Sequence, residues 1–162
     1  MSELYRDTGV VLRTYKLRES DRIVVFHTAE NGKVRAVAKG VRKTKSKFGA
    51  RLEPMSHVNV QLYRGRELDI VTQAESVEPL APMLSSLDRA SQGLAVLEAV
   101  DQLSLEREPN PQLYRMIVGV LRTIASAPSP INVPAFYWKL LANEGVRPRV
   151  QHARDGCAHA FP

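Results

Sequence analysis

At 162 residues, 44% apolar and 25% charged, the chain has the balance of an ordinary globular protein with one good core or two small ones. Its apolar runs, such as residues 23–26, fall far short of the roughly 18 to 20 residues a membrane span needs, and residues 1–13 lack a signal peptide's apolar core and cleavage site. A single cysteine, Cys157, excludes an internal disulfide, so a cytoplasmic protein with no membrane association is expected.

The net charge of +6 is unevenly placed. Fifteen Lys and Arg face ten Asp and Glu in residues 1–80, a surplus of +5, while residues 81–162 hold eight against seven, or +1. A polyanion is the natural partner of the first half.

In chain order, residues 8–15, 21–28, 33–39, 57–63 and 68–73 are short, rich in Val, Ile, Thr and aromatics, and separated by turn signals, which predicts five strands. Asn31-Gly32 predicts a tight type I′ hairpin, because that turn needs positive φ at both central positions. Arg64-Gly65-Arg66-Glu67 predicts a second hairpin. The alternation from Val34 to Lys39 predicts one buried and one wet, basic face. Five short antiparallel strands in under eighty residues suit a small barrel of the oligonucleotide-binding (OB) type.

Beyond Pro79 and Pro82, Leu84, Leu87, Leu94, Leu97, Val100 and Leu103 recur at helical spacing and predict one long amphipathic helix. Leu113, Met116, Ile117, Val120, Leu121 and Ile124 predict a second within residues 111–125, and Asn132 is positioned to cap a third that ends near Asn143 to Gly145. The expected fold is therefore α+β with segregated halves: a five-stranded OB barrel over residues 1–80 and a helical domain over residues 81–162.

The segment KGVRKTKSKFGARLEP, starting at Lys39, carries the unbalanced charge. Lys39, Arg42, Lys43, Lys45, Lys47 and Arg51 fall within thirteen residues without an acid, and Arg35 lies on the basic strand face just before them. Such a segment can be only a solvated surface, but between two barrel strands, with Gly40 and Gly49 to let it bend, it can follow a phosphate chain. Among Tyr15, Phe26, Phe48 and Tyr63, strand aromatics such as Phe26 are expected in the core, while Phe48, inside the basic loop, is the expected stacking contact.

Catalysis finds little support. Ser20, Asp21 and His27 invite a triad reading, but Ser20 lacks nucleophile-elbow glycines and Ser20-Asp21 reads better as a turn before a strand. There is no phosphate-binding GxxxxGK[ST] loop, and Glu19, Asp21 and Glu30 are too scattered for a metal-dependent nuclease. His152, Cys157 and His159 do not make a four-ligand zinc site, so no metal, cofactor or catalytic residue is expected.

Residues 4–75 closely resemble the N-terminal domain of the RecO family of bacterial recombination and repair proteins. The resemblance is carried by VVLRTYKLRESDRIV, the NGK turn, VRAVAKGVRK, SKFGARLEP and LYRGRELDIVTQ in that order, and it extends through the helical half to about Arg149. It implies an OB barrel followed by a helical domain and a non-enzymatic factor of DNA repair and recombination. Such a factor binds single- and double-stranded DNA and anneals complementary strands without ATP. With RecR, it helps RecA replace single-stranded DNA-binding protein. It also implies a nucleoid-associated location, DNA contacts on the basic residues of KGVRKTKSKFGAR, and docking of the acidic, apolar tail of single-stranded DNA-binding protein on the helical half. Arg115 or Arg122 beside Leu113, Met116 and Leu121 is the candidate docking site. Two departures stand out: the family's four-cysteine zinc module is replaced by Ala153 to Cys157, and the chain ends short of a typical member, leaving the helical domain incomplete. The alternatives are a non-enzymatic protein-interaction adaptor, in which charge gives only solubility, and an RNA-binding OB protein.

Overall fold

The computed structural model describes residues 3–40 and 48–145. Five strands, β1 (Leu4–Lys16), β2 (Arg22–Thr28), β3 (Gly32–Ala38), β4 (His57–Tyr63) and β5 (Asp69–Ser76), precede helices α1 (Ala81–Leu84), α2 (Leu87–Leu103), α3 (Pro111–Ser126) and α4 (Asn132–Asn143), with a 3-10 turn at Gly49–Leu52 before β4. The strands close a barrel in the order β1-β2-β3-β5-β4, the predicted OB architecture.

Strand β1 makes closure possible by pairing twice: its first half lies antiparallel to β4 and its second half to β2, with an irregularity between Val11 and Arg13. The run Val10, Val11, Leu12 is apolar on both faces because both are covered. Val11 points into the barrel core with Val24, Phe26, Val34 and Leu62. Val10, Leu12 and Val25 belong to a second core with Val96, Leu97, Val100, Ile117, Leu121 and Leu140 of the helices.

Three expectations about local structure need correction. The β2–β3 connection is a three-residue turn, residues 29–31, and the left-handed φ, 67°, falls on Gly32 at the start of β3 and not on Asn31. Asn31 instead donates from its side chain to Asp7 at 2.7 Å. Gly32 is required for a second reason, since a Cβ there would lie 2.1 Å from the carbonyl oxygen of Glu108.

The long helix is broken at Ser85-Ser86, where the Ser86 hydroxyl accepts from the Arg89 amide and starts α2 afresh. Leu84 at the end of α1 and Leu87, Leu94 and Leu103 of α2 are exposed, and the buried face of α2 is Gly93, Val96, Leu97 and Val100. Gly93 sits under two thioethers, which would lie 2.5 Å (Met55) and 2.6 Å (Met83) from an added Cβ. At α4, Asn132 is the first helical residue, not the cap; its side chain donates to Ala127 O at 3.2 Å. Helix α3 follows expectation, with Pro111 in the first turn and Asn110 accepting from the Leu113 amide at 3.1 Å.

The barrel closes weakly on its own. Strands β3 and β5 run parallel and pair only at Ala36↔Asp69 and Val37↔Ile70. Beside this short seam lies a strap from the helical half, residues 104–110. Glu106 bridges Lys33 of β3, and the Arg107 amide donates to Lys33 O at 2.9 Å. From a left-handed backbone (φ 61°), Arg107 reaches the fully buried Asp69 carboxylate at 2.6 Å. Asp69 also accepts from the Tyr5 hydroxyl and, at 3.1 Å, from the Gly65 amide. Burial alone would raise the Asp69 carboxyl, but these donors, Arg107 first, outweigh it and hold it below the usual range. Burial and the neighbouring Asp69 push the Tyr5 phenol up to about 12, so it remains a donor.

Arg107→Ala should therefore destabilise the fold by about 2 to 3 kcal/mol in urea titration. This is below the figure for a fully enclosed pair, because the guanidinium is partly hydrated. A carboxyl depressed by folding contributes stability above its unfolded value near 4 and loses it as pH falls below that. The parent protein should thus weaken on acidification below about pH 4, and the variant should show a shallower acid limb.

Candidate nucleic-acid interface

Strand register brings together cations that are far apart in sequence. Lys16, Arg22 and Ala38 are cross-strand neighbours on β1, β2 and β3, and Lys39 follows directly. The β1–β2 turn folds over the same end, with Leu17 N donating to Asp21 O at 3.2 Å. Asp21 then ties this turn to the exit of β3: its carboxylate accepts from the Gly40 amide at 2.8 Å and pairs with Arg18 at 3.4 Å. Those contacts, the Gly40 amide first, hold its carboxyl below the usual range. Gly40 itself has φ 69°, the left-handed bend that releases the chain into the basic segment.

One end of the barrel therefore presents Lys16, Arg18, Arg22 and Lys39, with Glu19, Asp21 and Glu53 among them. Arg22 lies 3.7 Å from Glu53, and Lys16, Arg18 and Lys39 are exposed. Arg51, exposed in the 3-10 turn, follows the segment on its other side. Arg42, Lys43, Lys45 and Lys47 lie outside the described residues. Lys16, Arg18 and Arg22 were missed by the sequence reading, although YKLRESDR carries three cations around a turn; the pairing that sets them beside Lys39 is a tertiary fact.

Burial overturns one expected contact, and a second is already paired within the chain. Phe48 is 1% exposed and packs with Leu52 and Phe26 in the barrel core, so its ring offers no stacking surface. It anchors the returning end of the basic segment instead. Arg35 is engaged by Glu106 of the strap and lies 3.4 Å from the Tyr15 hydroxyl. Lys33 and Arg13 are likewise engaged by Asp101 of α2, at 2.7 Å and 2.6 Å. Of the basic run around β3, Lys33 and Arg35 thus help hold the helical half on.

In the helical half, Leu113 is enclosed in the core and is not a docking surface. Leu121 packs in the same core and lines a cavity of about 210 Å³ with Val118, Met83, His57 and Arg122. Arg122 is exposed and paired with Glu78, which also lies 3.2 Å from His57 Nδ1; His57 Nε2 is 2.6 Å from the Tyr114 hydroxyl. Met116 lines a separate groove of about 330 Å³ with Phe136 and Lys139, and Arg115 is exposed on α3.

The triad reading of Ser20, Asp21 and His27 is not assembled. Burial, then Lys33, pushes the His27 imidazole down to about 4, and Asp21 is committed to Gly40. Among the described residues no group of three His, Cys, Asp or Glu could hold a metal ion, and no helix is long and apolar enough to cross a membrane. His152, Cys157 and His159 lie outside the described residues.

Residues 1–80 match the family model described as Recombination protein O N terminal, and residues 84–156 match Recombination protein O C terminal. A curated DNA repair protein RecO from a Nocardioides species is 46% identical over an alignment 163 positions long, covering 97% of this chain and 66% of that protein. The chain thus spans just under two thirds of the length of that relative.

The burial of Phe48 yields a direct test. Phe48→Ala should cost about 3 to 5 kcal/mol of unfolding free energy, as for other enclosed aromatics. A change within about 0.5 kcal/mol in chemical denaturation, the usual range for surface substitutions, would place the ring in solvent.

Proposed function

The chain belongs to the recombination protein O family, and on that premise we propose that it is a non-enzymatic DNA repair and recombination factor that holds DNA by its phosphates at the Lys39 end of the barrel. The observation that carries this reading is the continuity of charge. Lys16, Arg18, Arg22 and Lys39 sit where β3 hands over to a segment containing Arg42, Lys43, Lys45 and Lys47, and Arg51 lies just after it.

Phosphate contacts give affinity without sequence preference, and this suits a protein that takes both single- and double-stranded DNA. Annealing without ATP follows from the same charge. Two phosphate chains repel, and a cationic segment between them screens that repulsion while leaving the Watson–Crick edges free to select their complement. No nucleotide-hydrolysing step is needed, because pairing itself is downhill.

The family context adds partners to the proposal: RecR, RecA loading at gaps, and the acidic, apolar tail of single-stranded DNA-binding protein, in the cytoplasm at the nucleoid. The cavity beside Leu121 and Arg122 suits an apolar side chain next to a carboxylate, with Arg122 as the cation. The groove holding Met116 and Lys139 is the second candidate for that tail.

Fluorescence anisotropy of a labelled single-stranded oligonucleotide across a salt series tests the site. Each phosphate neutralised contributes about 0.7 to the log-log salt slope for single strands, so wild type should show a slope of several units. Lys43→Glu with Lys45→Glu should flatten that slope by one unit or more and weaken binding at least tenfold at low salt. Unchanged binding and annealing by the double variant would remove this segment as the site.

A further inference from the structure

The seam between the barrel and the helices encloses a polar group that nothing satisfies. His27 of β2, the cross-strand neighbour of Val10 and Lys33, lies two residues after Val25 on the face that β2 turns toward the helices, and it is 1% exposed. Among the described residues its Nδ1 has no hydrogen-bond partner, a state that buried nitrogens rarely keep. The ring lines a cavity of about 90 Å³ whose other walls include Leu103, Ser104, Leu105, Glu108, Asn110 and Glu144. That is room for a few waters or for the charged head of one side chain, and too little for a nucleotide.

The charge around this cavity is one-sided. The nearby cations of the seam are already committed: Lys33 to Asp101 at 2.7 Å, Arg107 to Asp69 at 2.6 Å, and Arg35 to Glu106. Glu108 and Glu144, both exposed, have no ion pair among the described residues. Glu144 also stands at the C-terminal cap of α4, where the helix dipole opposes a carboxylate and favours a cation. Burial and then Lys33 keep the His27 ring neutral, so it adds no positive charge and can offer Nδ1 as an acceptor. We infer that this cavity is a receptor for a single lysine or arginine side chain of a partner protein. Glu108 and Glu144 meet its charge, His27 Nδ1 accepts from it, and the exposed Leu103 and Leu105 cover its apolar stem.

The walls are fixed before a partner arrives. Asn110 donates from its side chain to the Asn143 side chain at 2.9 Å, which ties the start of α3 to the end of α4. The strap is held on β3 through the Arg107 amide, and its Glu108 backbone lies against Gly32. A cationic side chain therefore enters a formed site and does not have to order the strap. The same two carboxylates repel a phosphate, so this site and the Lys39 end of the barrel select ligands of opposite charge.

Nuclear magnetic resonance of the full chain at about pH 7, where the ring is neutral, tests this through the imidazole nitrogens and backbone amides. The probes are Nα-acetyl-arginine amide and Nα-acetyl-lysine amide, with Nα-acetyl-norleucine amide as the uncharged control. The charged amides should shift the His27 Nδ1 resonance and residues 104–110 saturably, and the norleucine amide should not. Glu108→Gln with Glu144→Gln removes two partly hydrated ion pairs and should weaken that response about fivefold. Glu30→Gln with Glu75→Gln, on the β1–β4–β5 side, makes the same change in net charge and should leave it unchanged. No saturable shift at His27, an equal response to the norleucine amide, or a response indifferent to the loss of Glu108 and Glu144 would overturn the inference. A response that appears only after Arg147→Gln with Arg149→Gln would also overturn it, by giving the cavity to arginines that follow α4 in this chain's own sequence.

Discussion

A buried carboxylate, Asp69, organises this structure. It stands at the start of β5, where the barrel has only two residue pairs with which to close against β3, and it cannot remain charged there without donors. Tyr5 and the Gly65 amide supply two from within the barrel, but the countercharge comes from Arg107, a residue of the helical half. Closing the barrel and seating the helices are therefore coupled. The strap that delivers Arg107 also lays its backbone along β3 at Lys33, and it passes so close to Gly32 that no side chain fits between. A fold describable as two halves behaves at this seam as one.

The seam also sorts the protein's positive charge into two uses. Lys33, Arg35 and Arg13 face carboxylates of α2 and the strap, while Lys16, Arg18, Arg22 and Lys39 gather at the far end of the same strands around Asp21. A uniform count of lysines and arginines in the first half hides this division. The DNA-binding reading depends on the second group, because only there does the surplus continue into the basic segment.

Much of the barrel was legible in the sequence because strands announce themselves locally, through β-branched runs and turn residues, and all five fall within a few residues of where they were expected. Periodicity misled on α2 because its leucines are divided between two faces: Leu87 and Leu94, one heptad apart, face solvent, while the enclosed stripe runs through Gly93, Val96, Leu97 and Val100. Composition misled on Phe48, since an aromatic amid lysines looks exposed until the return of the chain over the barrel is known. The pairing of Arg35 with Glu106 and of Arg107 with Asp69 spans tens of residues and leaves no local signature. The cationic end could have been read in part from YKLRESDR, but its joining to Lys39 needs the strand register.

The central claim is that DNA meets the barrel at the Lys16, Arg22 and Lys39 end, away from the β1–β4–β5 face. Amide hydrogen exchange of the full chain, with and without a saturating single-stranded oligonucleotide, reads this most directly. The account predicts slowed exchange over residues 16–22 and 39–52, and unchanged exchange in the strap around Glu106 and in β4. Slowed exchange confined to α3 and α4, or to the outer face of β4 and β5, would contradict it.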